Sequence, residues 1–312
     1  MPLDPHAKRF LDLTAFAGAV DPTRLSPSDM RKDFQRLSQL VGANDVPVGK
    51  IEDGELPGPC GSLPIRIYSP RGAADDRLPG LIYFHGGGGV FGSVVTHDGL
   101  CRMLSNTSGC RVISVDYRLA PEHRFPAAFD DSYAATEEIF ARAPTLALDP
   151  DRIAIGGDSA GGGLAAAVCQ RAKQEKGPKI ALLLLLCPAL DMAAESESRR
   201  AFARGYFLDK ATIDWTLGLY CPPELERADP RLSPLRADDV SGHPPTHIHT
   251  AEFDPLRCEG RAYADRLERV GVAVRYSCHV GMIHHFYAMA GAIPYARVAI
   301  EEIGAAVARA LA

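Results

Sequence analysis

The chain lacks the features that mark a nucleic-acid binder, a membrane protein or an exported disulfide scaffold. Its 312 residues carry 34 Lys and Arg against 39 Asp and Glu, for a formal net charge of -5, and no basic run stands out. That leaves no electrostatic footprint for nucleic acid, and small neutral substrates fit better. The longest apolar run, Ile180 to Cys187, falls far short of the roughly 20 residues that span a bilayer. The start, M-P-L-D-P-H-A-K-R-F, has neither the basic head nor the continuous apolar core of a signal peptide, so a cytoplasmic location is expected. Cysteine is present 8 times but scattered, with no C-x-x-C pair. Free, mostly buried thiols are expected, among them Cys169 and Cys187 as small core residues. There are no internal repeats and no low-complexity tracts.

What is present is an ordinary globular composition, 46% hydrophobic and 23% charged. The length allows one large α/β domain with insertions. Two helical patterns, His6 to Phe16 and Ser28 to Leu40, precede any strand, and Ser26-Pro27-Ser28-Asp29 reads as the start of the second. From Leu63 onward, short apolar runs alternate with helical patterns. Strands are predicted at Ile65–Ser69, Leu81–Phe84, Arg111–Val115, Ile153–Ile155, Ala181–Leu186, His247–Ala251 and Ala273–Cys278. Helices are predicted around Gly99–Asn106, Phe129–Ala141, Leu164–Ala172, Gly260–Val270 and Tyr295–Leu311. This order predicts an α/β fold with a mostly parallel sheet covered on both faces, and ligands beyond the carboxyl ends of the strands. Residues 192–245 interrupt the alternation with charged and aromatic side chains, including the only tryptophan, Trp215. They are expected to hold helices of their own. Residues 1–50 and 192–245 are thus expected to form a two-part helical cap over a domain made from 51–191 and 246–312.

The chemistry is concentrated in Ile153–Gly163, I-A-I-G-G-D-S-A-G-G-G. Gly157-x-Ser159-x-Gly161 has the spacing of a nucleophile elbow, a sharp strand-to-helix turn that holds its serine in a strained conformation. Glycine is required on both sides, because a Cβ there would meet the neighbouring strand and helix. A serine nucleophile also needs a base and an acid that orients the base, and in this arrangement the chain order is serine, acid, histidine. Asp254 in A-E-F-D-P-L and His284 in G-M-I-H-H-F supply that order. Glu252 and Asp265 are rival acids and His285 is the rival base. The oxyanion of a tetrahedral intermediate needs donors, for which the N–H of Ala160 and the glycine-rich loop His85–Gly89 are candidates. His247-x-His249 would place both imidazoles on one strand face, as in a metal pair, but no third ligand lies nearby in sequence. Packed strand histidines are expected instead, and no metal.

These pieces, with Asp116-Tyr117-Arg118-Leu119-Ala120-Pro121-Glu122-His123, Phe125-Pro126-Ala127, Asp229-Pro230-Arg231-x-Ser233-Pro234-Leu235 and Asp254-Pro255-Leu256, resemble the hormone-sensitive-lipase-like esterases. These belong to the α/β-hydrolase superfamily, and the match is to their G-D-S-A-G branch. The resemblance covers about Ile65 to Phe286. It implies an α/β-hydrolase fold with a cap and a serine carboxylesterase acting on short to medium acyl esters without a cofactor. It further implies Ser159 as nucleophile, His284 as base, Asp254 as its orienter, and Gly87, Gly88 and Ala160 as oxyanion donors. His85 and the Asp116–His123 stretch would support the oxyanion loop.

Asp158, Gly89, His285, Phe207 and Trp215 are the candidate substrate-binding residues. Phe202, Tyr206 and Tyr220 are equally open to lining the pocket or forming the cap's own core. The chain departs from the family pattern in three places. Gly89 stands where a bulky residue commonly follows the glycines, which would widen the alcohol side of the pocket. His285 replaces the usual glycine, and Cys258 the usual acidic residue. The same triad would also serve amides, lactones or acyl transfer. Gibberellin receptors, which resemble the family, keep the serine without the histidine, so a small-ligand receptor is the non-catalytic alternative. A homodimer through the late strand Ala273–Cys278 is a further expectation.

Overall fold

Side chains that alternate along each strand go to opposite faces of the sheet, and here both faces are dry. Leu81 and Tyr83 join one apolar cluster and Ile82 and Phe84 the other, all fully buried. The computed structural model describes residues 2–16, 18, 24–73 and 77–312. Two helices, α1 (Pro5–Phe16) and α2 (Pro27–Val41), come first, followed by strands β1 (Lys50–Gly58), β2 (Gly61–Ser69) and β3 (Leu78–Phe84). Then come α3 (Asp98–Ser108), β4 (Arg111–Val115), α4 (Ala127–Ala141), β5 (Leu148–Asp158), α5 (Ala160–Glu175) and β6 (Leu182–Leu186). Helices α6 (Glu197–Ala201) and α7 (Lys210–Tyr220) precede β7 (Thr246–Phe253), α8 (Arg257–Arg269), β8 (Val274–Ile283) and α9 (Tyr295–Ala310).

The strands form one 8-stranded sheet in the order β1-β2-β4-β3-β5-β6-β7-β8. The pairs β1/β2 and β2/β4 are antiparallel and all later pairs are parallel. Helices α4, α5 and α8 pack on one face, α3 and α9 on the other. Parallel strands buried on both faces read as unbroken apolar runs, and Leu182–Leu186 in β6 are all fully buried.

Strands β2, β5 and β8 run several residues beyond their predicted bounds, and two other differences from the sequence reading have a local cause. β1 has no counterpart in it, because most of its residues are exposed or half-buried and only Leu56 is sealed, so no apolar alternation marks it. Helix α5 starts at Ala160 rather than at Leu164, since three glycines that look like a loop form its first turn. At the start of α2, Ser26 accepts from the backbone N–H of Asp29 at 3.1 Å and Pro27 takes the first turn. Yet α2 has no buried residue. Its apolar side chains Met30, Phe34 and Leu37 face a cavity instead.

Candidate active site

The turn from β5 into α5 places Ser159 at φ 53° and ψ -122°, a conformation that β-carbon sterics disfavour. Added Cβ atoms on Gly157 and Gly161 would both run into the carbonyl oxygen of Phe84 on β3, so only glycine lets the turn be this tight. The serine hydroxyl faces the loops that follow β7 and β8. Nε2 of His284 lies 3.0 Å from Ser159 Oγ, and Nδ1 of the same ring lies 2.7 Å from Oδ2 of Asp254. Asp254 is fully buried, and its other oxygen accepts from the N–H of Leu256 at 2.8 Å. Burial opposes a charged ring at His284. The charge of Asp254 and its hydrogen bond outweigh that and hold the group above its ordinary value. The rival side chains are elsewhere. Glu252 accepts from the N–H of Gly281 and Asp265 pairs with Arg261 on α8.

The loop after β3 completes the arrangement. Gly87 and Gly88 have φ of 121° and 63°, open only to glycine at low cost, and with Ala160 they border the cavity above Ser159. Among the described residues the N–H groups of Gly87, Gly88 and Ala160 have no protein acceptor. Beneath the loop, Asp158 Oδ1 accepts from the Tyr83 hydroxyl at 2.8 Å and from the N–H of Gly86 at 3.0 Å. The Tyr117 hydroxyl donates to the carbonyl of His85 at 2.6 Å while its ring stacks on the His85 ring at 4.3 Å.

A serine on a strained turn, a histidine held by a buried carboxylate and unpaired backbone N–H groups beside them are shared by many hydrolases, so comparison decides the family. Residues 81–288 match the family described as having the alpha/beta hydrolase fold. The carboxylic ester hydrolase LipN of Mycobacterium tuberculosis is 42% identical over 298 residues, covering 91% of this chain and 77% of that protein. The arylesterase of Saccharolobus solfataricus is 38% identical, covering 92% of each. An ester hydrolase from the metagenome of Lake Arreo superimposes with a TM-score of 0.96 at 43% identity over 98% of each chain.

The chain belongs to the hormone-sensitive-lipase-like α/β hydrolases. The hydrolase encloses a cavity of about 550 Å³ with Ser159 in its wall. Leu11 on α1, Phe34 on α2 and Ile213, Leu217 and Tyr220 on α7 make much of the rest. Of the aromatic residues between β6 and β7, Phe207 and Tyr220 border this space. Trp215 does not. It is half-buried against the cluster that contains Leu217 and Tyr220, because at its place on α7 it is turned away from Ile213, Thr216 and Leu217. Phe202 and Tyr206 pack on Phe253, with Tyr206 stacked at 5.5 Å.

Gly89 and Asp158 both border the cavity, but the packing of the hydrolase changes what each does there. Gly89 does not leave a gap, since a Cβ there would lie 2.7 Å from the Tyr220 ring. Tyr220 itself is the wall on that side. Asp158 touches the cavity but is buried, and Tyr83, Gly86, His97 and His285 surround its carboxylate. It holds up the loop rather than presenting a free oxygen to a ligand. His249, one of the strand pair, faces His279 at 3.2 Å, and His279 faces the Tyr295 hydroxyl at 3.1 Å.

Several residues that shape the site carry no sequence signal. Arg31 on α2 donates to the carbonyls of Val90 and Ala120, each at 2.8 Å, and pairs with Glu122, tying that helix to the back of the oxyanion loop. His97 Nε2 lies 3.2 Å from Asp158 Oδ1. Buried Glu259 accepts from the N–H of Leu190 and from Arg199, and burial pushes its carboxyl up to about 7. Each is of a type that also occupies ordinary core or surface positions, and only the fold brings it to its partner.

Proposed function

We propose that this hydrolase cleaves carboxylic esters of short to medium acyl chain through an acyl-enzyme. Ser159 attacks the ester carbonyl as His284 takes its proton, and Asp254 stabilises the imidazolium that forms. The oxyanion of the tetrahedral intermediate is met by the N–H groups of Gly87, Gly88 and Ala160. Collapse expels the alcohol, to which His284 returns the proton. Water then attacks the acyl-serine with His284 again as base, releasing the acid and restoring the serine. The observation that carries this reading is the unbroken path from Asp254 through His284 to Ser159, which opens on those donors. The ester-hydrolase names of the relatives support the substrate class.

The helices before β1 and those between β6 and β7 act as a cap over the cavity, since both supply its walls. Among the described residues no helix is long and apolar enough to cross a membrane. The cap and a bounded cavity favour dispersed small esters over emulsified fat. β8 is one of the two edge strands, with Cys278 and Val280 exposed, and pairs two copies into a dimer.

The test is hydrolysis of p-nitrophenyl esters from acetate to long acyl chains by wild type, Ser159→Ala and His284→Ala. Loss of kcat by orders of magnitude in both variants is expected, with a chain-length optimum at short to medium acyl. Wild-type inactivity on every ester would overturn the reading and direct attention to amides, lactones and simple ligand binding.

A further inference from the structure

The residue after His284 is a second histidine, and its surroundings repeat those of the first. His285 has φ 64°, a left-handed conformation in which a residue with a Cβ is strained and glycine is not. Its Nδ1 lies 3.3 Å from Oδ2 of Asp158, as Nδ1 of His284 faces Asp254. The ring is boxed by Phe34 of α2 at 5.5 Å, by Phe207 stacked at 6.3 Å with 16° between planes, and by His97 at 5.3 Å.

This setting selects a tautomer. The Asp158 carboxylate can only accept, so the proton of His285 belongs on Nδ1, and Nε2 of the neutral ring is left with its lone pair. Burial disfavours the cationic ring, which keeps it in that neutral form. Among the described residues Nε2 has no protein partner, yet it is not sealed from solvent, and the ring borders the cavity that holds Ser159. Phe34 and Phe207, which border the cavity beside it, are apolar. His284 thus aims an acceptor at the serine, and His285 offers a second acceptor to whatever fills the cavity.

We propose that His285 is a substrate-recognition residue whose Nε2 accepts a hydrogen bond from a hydroxyl on one arm of the ester, so that hydroxylated esters are preferred over their alkyl isosteres. The proposal rests on the ester-hydrolase reading above. An acceptor left unpaired in an apolar wall penalises a ligand that cannot donate to it. One neutral hydrogen bond corresponds to a preference of about three- to tenfold in kcat/KM.

The experiment compares wild type with His285→Gly on two matched pairs. Ethyl 3-hydroxybutyrate against ethyl 3-methylbutyrate probes the acyl arm. 2-Hydroxyethyl butyrate against propyl butyrate probes the alcohol arm. Glycine suits the backbone at this position, so the variant is expected to fold, and circular dichroism checks that. In one of the two pairs, the hydroxyl-to-methyl ratio of kcat/KM is expected to fall about three- to tenfold on substitution, whatever happens to the rate common to both members. Equal ratios for the two proteins in both pairs would overturn the proposal while leaving the ester-hydrolase reading intact. Failure of wild type to hydrolyse any of the four esters would instead remove that reading, and the recognition role with it.

Discussion

In the proposed mechanism His284 has to be neutral to take the serine proton, and its environment holds it above the ordinary value of about 6.5 for histidine. The acid limb of kcat/KM is therefore expected at a pH above that value. The stability linked to this ring has the opposite dependence. It is fully present below the unfolded pKa and is lost as pH rises through the folded one. Asp254→Asn removes the charge that raises the ring. The acid limb should move to lower pH while kcat drops by about four orders of magnitude. A pH–rate profile of that variant with an unmoved limb would show that Asp254 does not set the base. At the oxyanion loop, Gly89→Ala is strained by its φ of 71° and presses on Tyr220. Activity should fall in that variant, and the Tyr220→Ala background should relieve part of the loss, read as a double-mutant cycle on kcat/KM.

At the level of elements, the elbow depends on α5 lying directly against β3. A Cβ on Gly161 runs into the Phe84 and His85 carbonyls, which are backbone and cannot rotate away. Gly161→Ala should lower stability by about 1–3 kcal/mol in urea unfolding, with activity lost as the turn opens. A variant of unchanged stability and turnover would mean that the turn has slack. β6 sits in the centre of the sheet with every leucine sealed, so Leu184→Ala is expected to destabilise by about 2–5 kcal/mol through the cavity it leaves. β8 at the rim behaves differently. Val280 is 49% exposed there, and Val280→Lys should weaken any self-association. Size-exclusion chromatography across a concentration series checks this, and a wild type that elutes as a monomer throughout would dismiss the dimer.

For the whole molecule, buried histidines make acid the weak side. Burial lowers His85 to about 3 and His243, His247 and His279 to about 4, whereas unfolded histidine titrates near 6.5. Between those values the unfolded chain binds more protons than the folded one. Stability is then present above about pH 6.5 and falls as pH drops toward 4. His284 and Glu259 work the other way but are fewer than these histidines. Urea midpoints that stay level from pH 7 to pH 4.5 would contradict this balance.

Much of this hydrolase was legible without coordinates. Local rules set the strand-helix alternation, because each buried strand needs an apolar run of its own. They also mark the elbow, because only glycine beside Ser159 permits its turn, and the resemblance of whole motifs pointed to Asp254 and His284. What the sequence could not decide were matters of contact between distant segments. Largely exposed β1 left no pattern, since it gains its place mainly by pairing with β2. Arg31, His97 and Glu259 take their roles from partners tens of residues away. Whether Gly89 opens a gap depended on Tyr220 of α7, and whether His285 is a rival base or a second acceptor on the wall depended on Asp158 lying behind it. The sequence determined the fold, because that rests on local sterics and chain order, and it named the groups proposed to react. The tertiary structure decided the pocket, because its shape is made of side chains that meet only after folding.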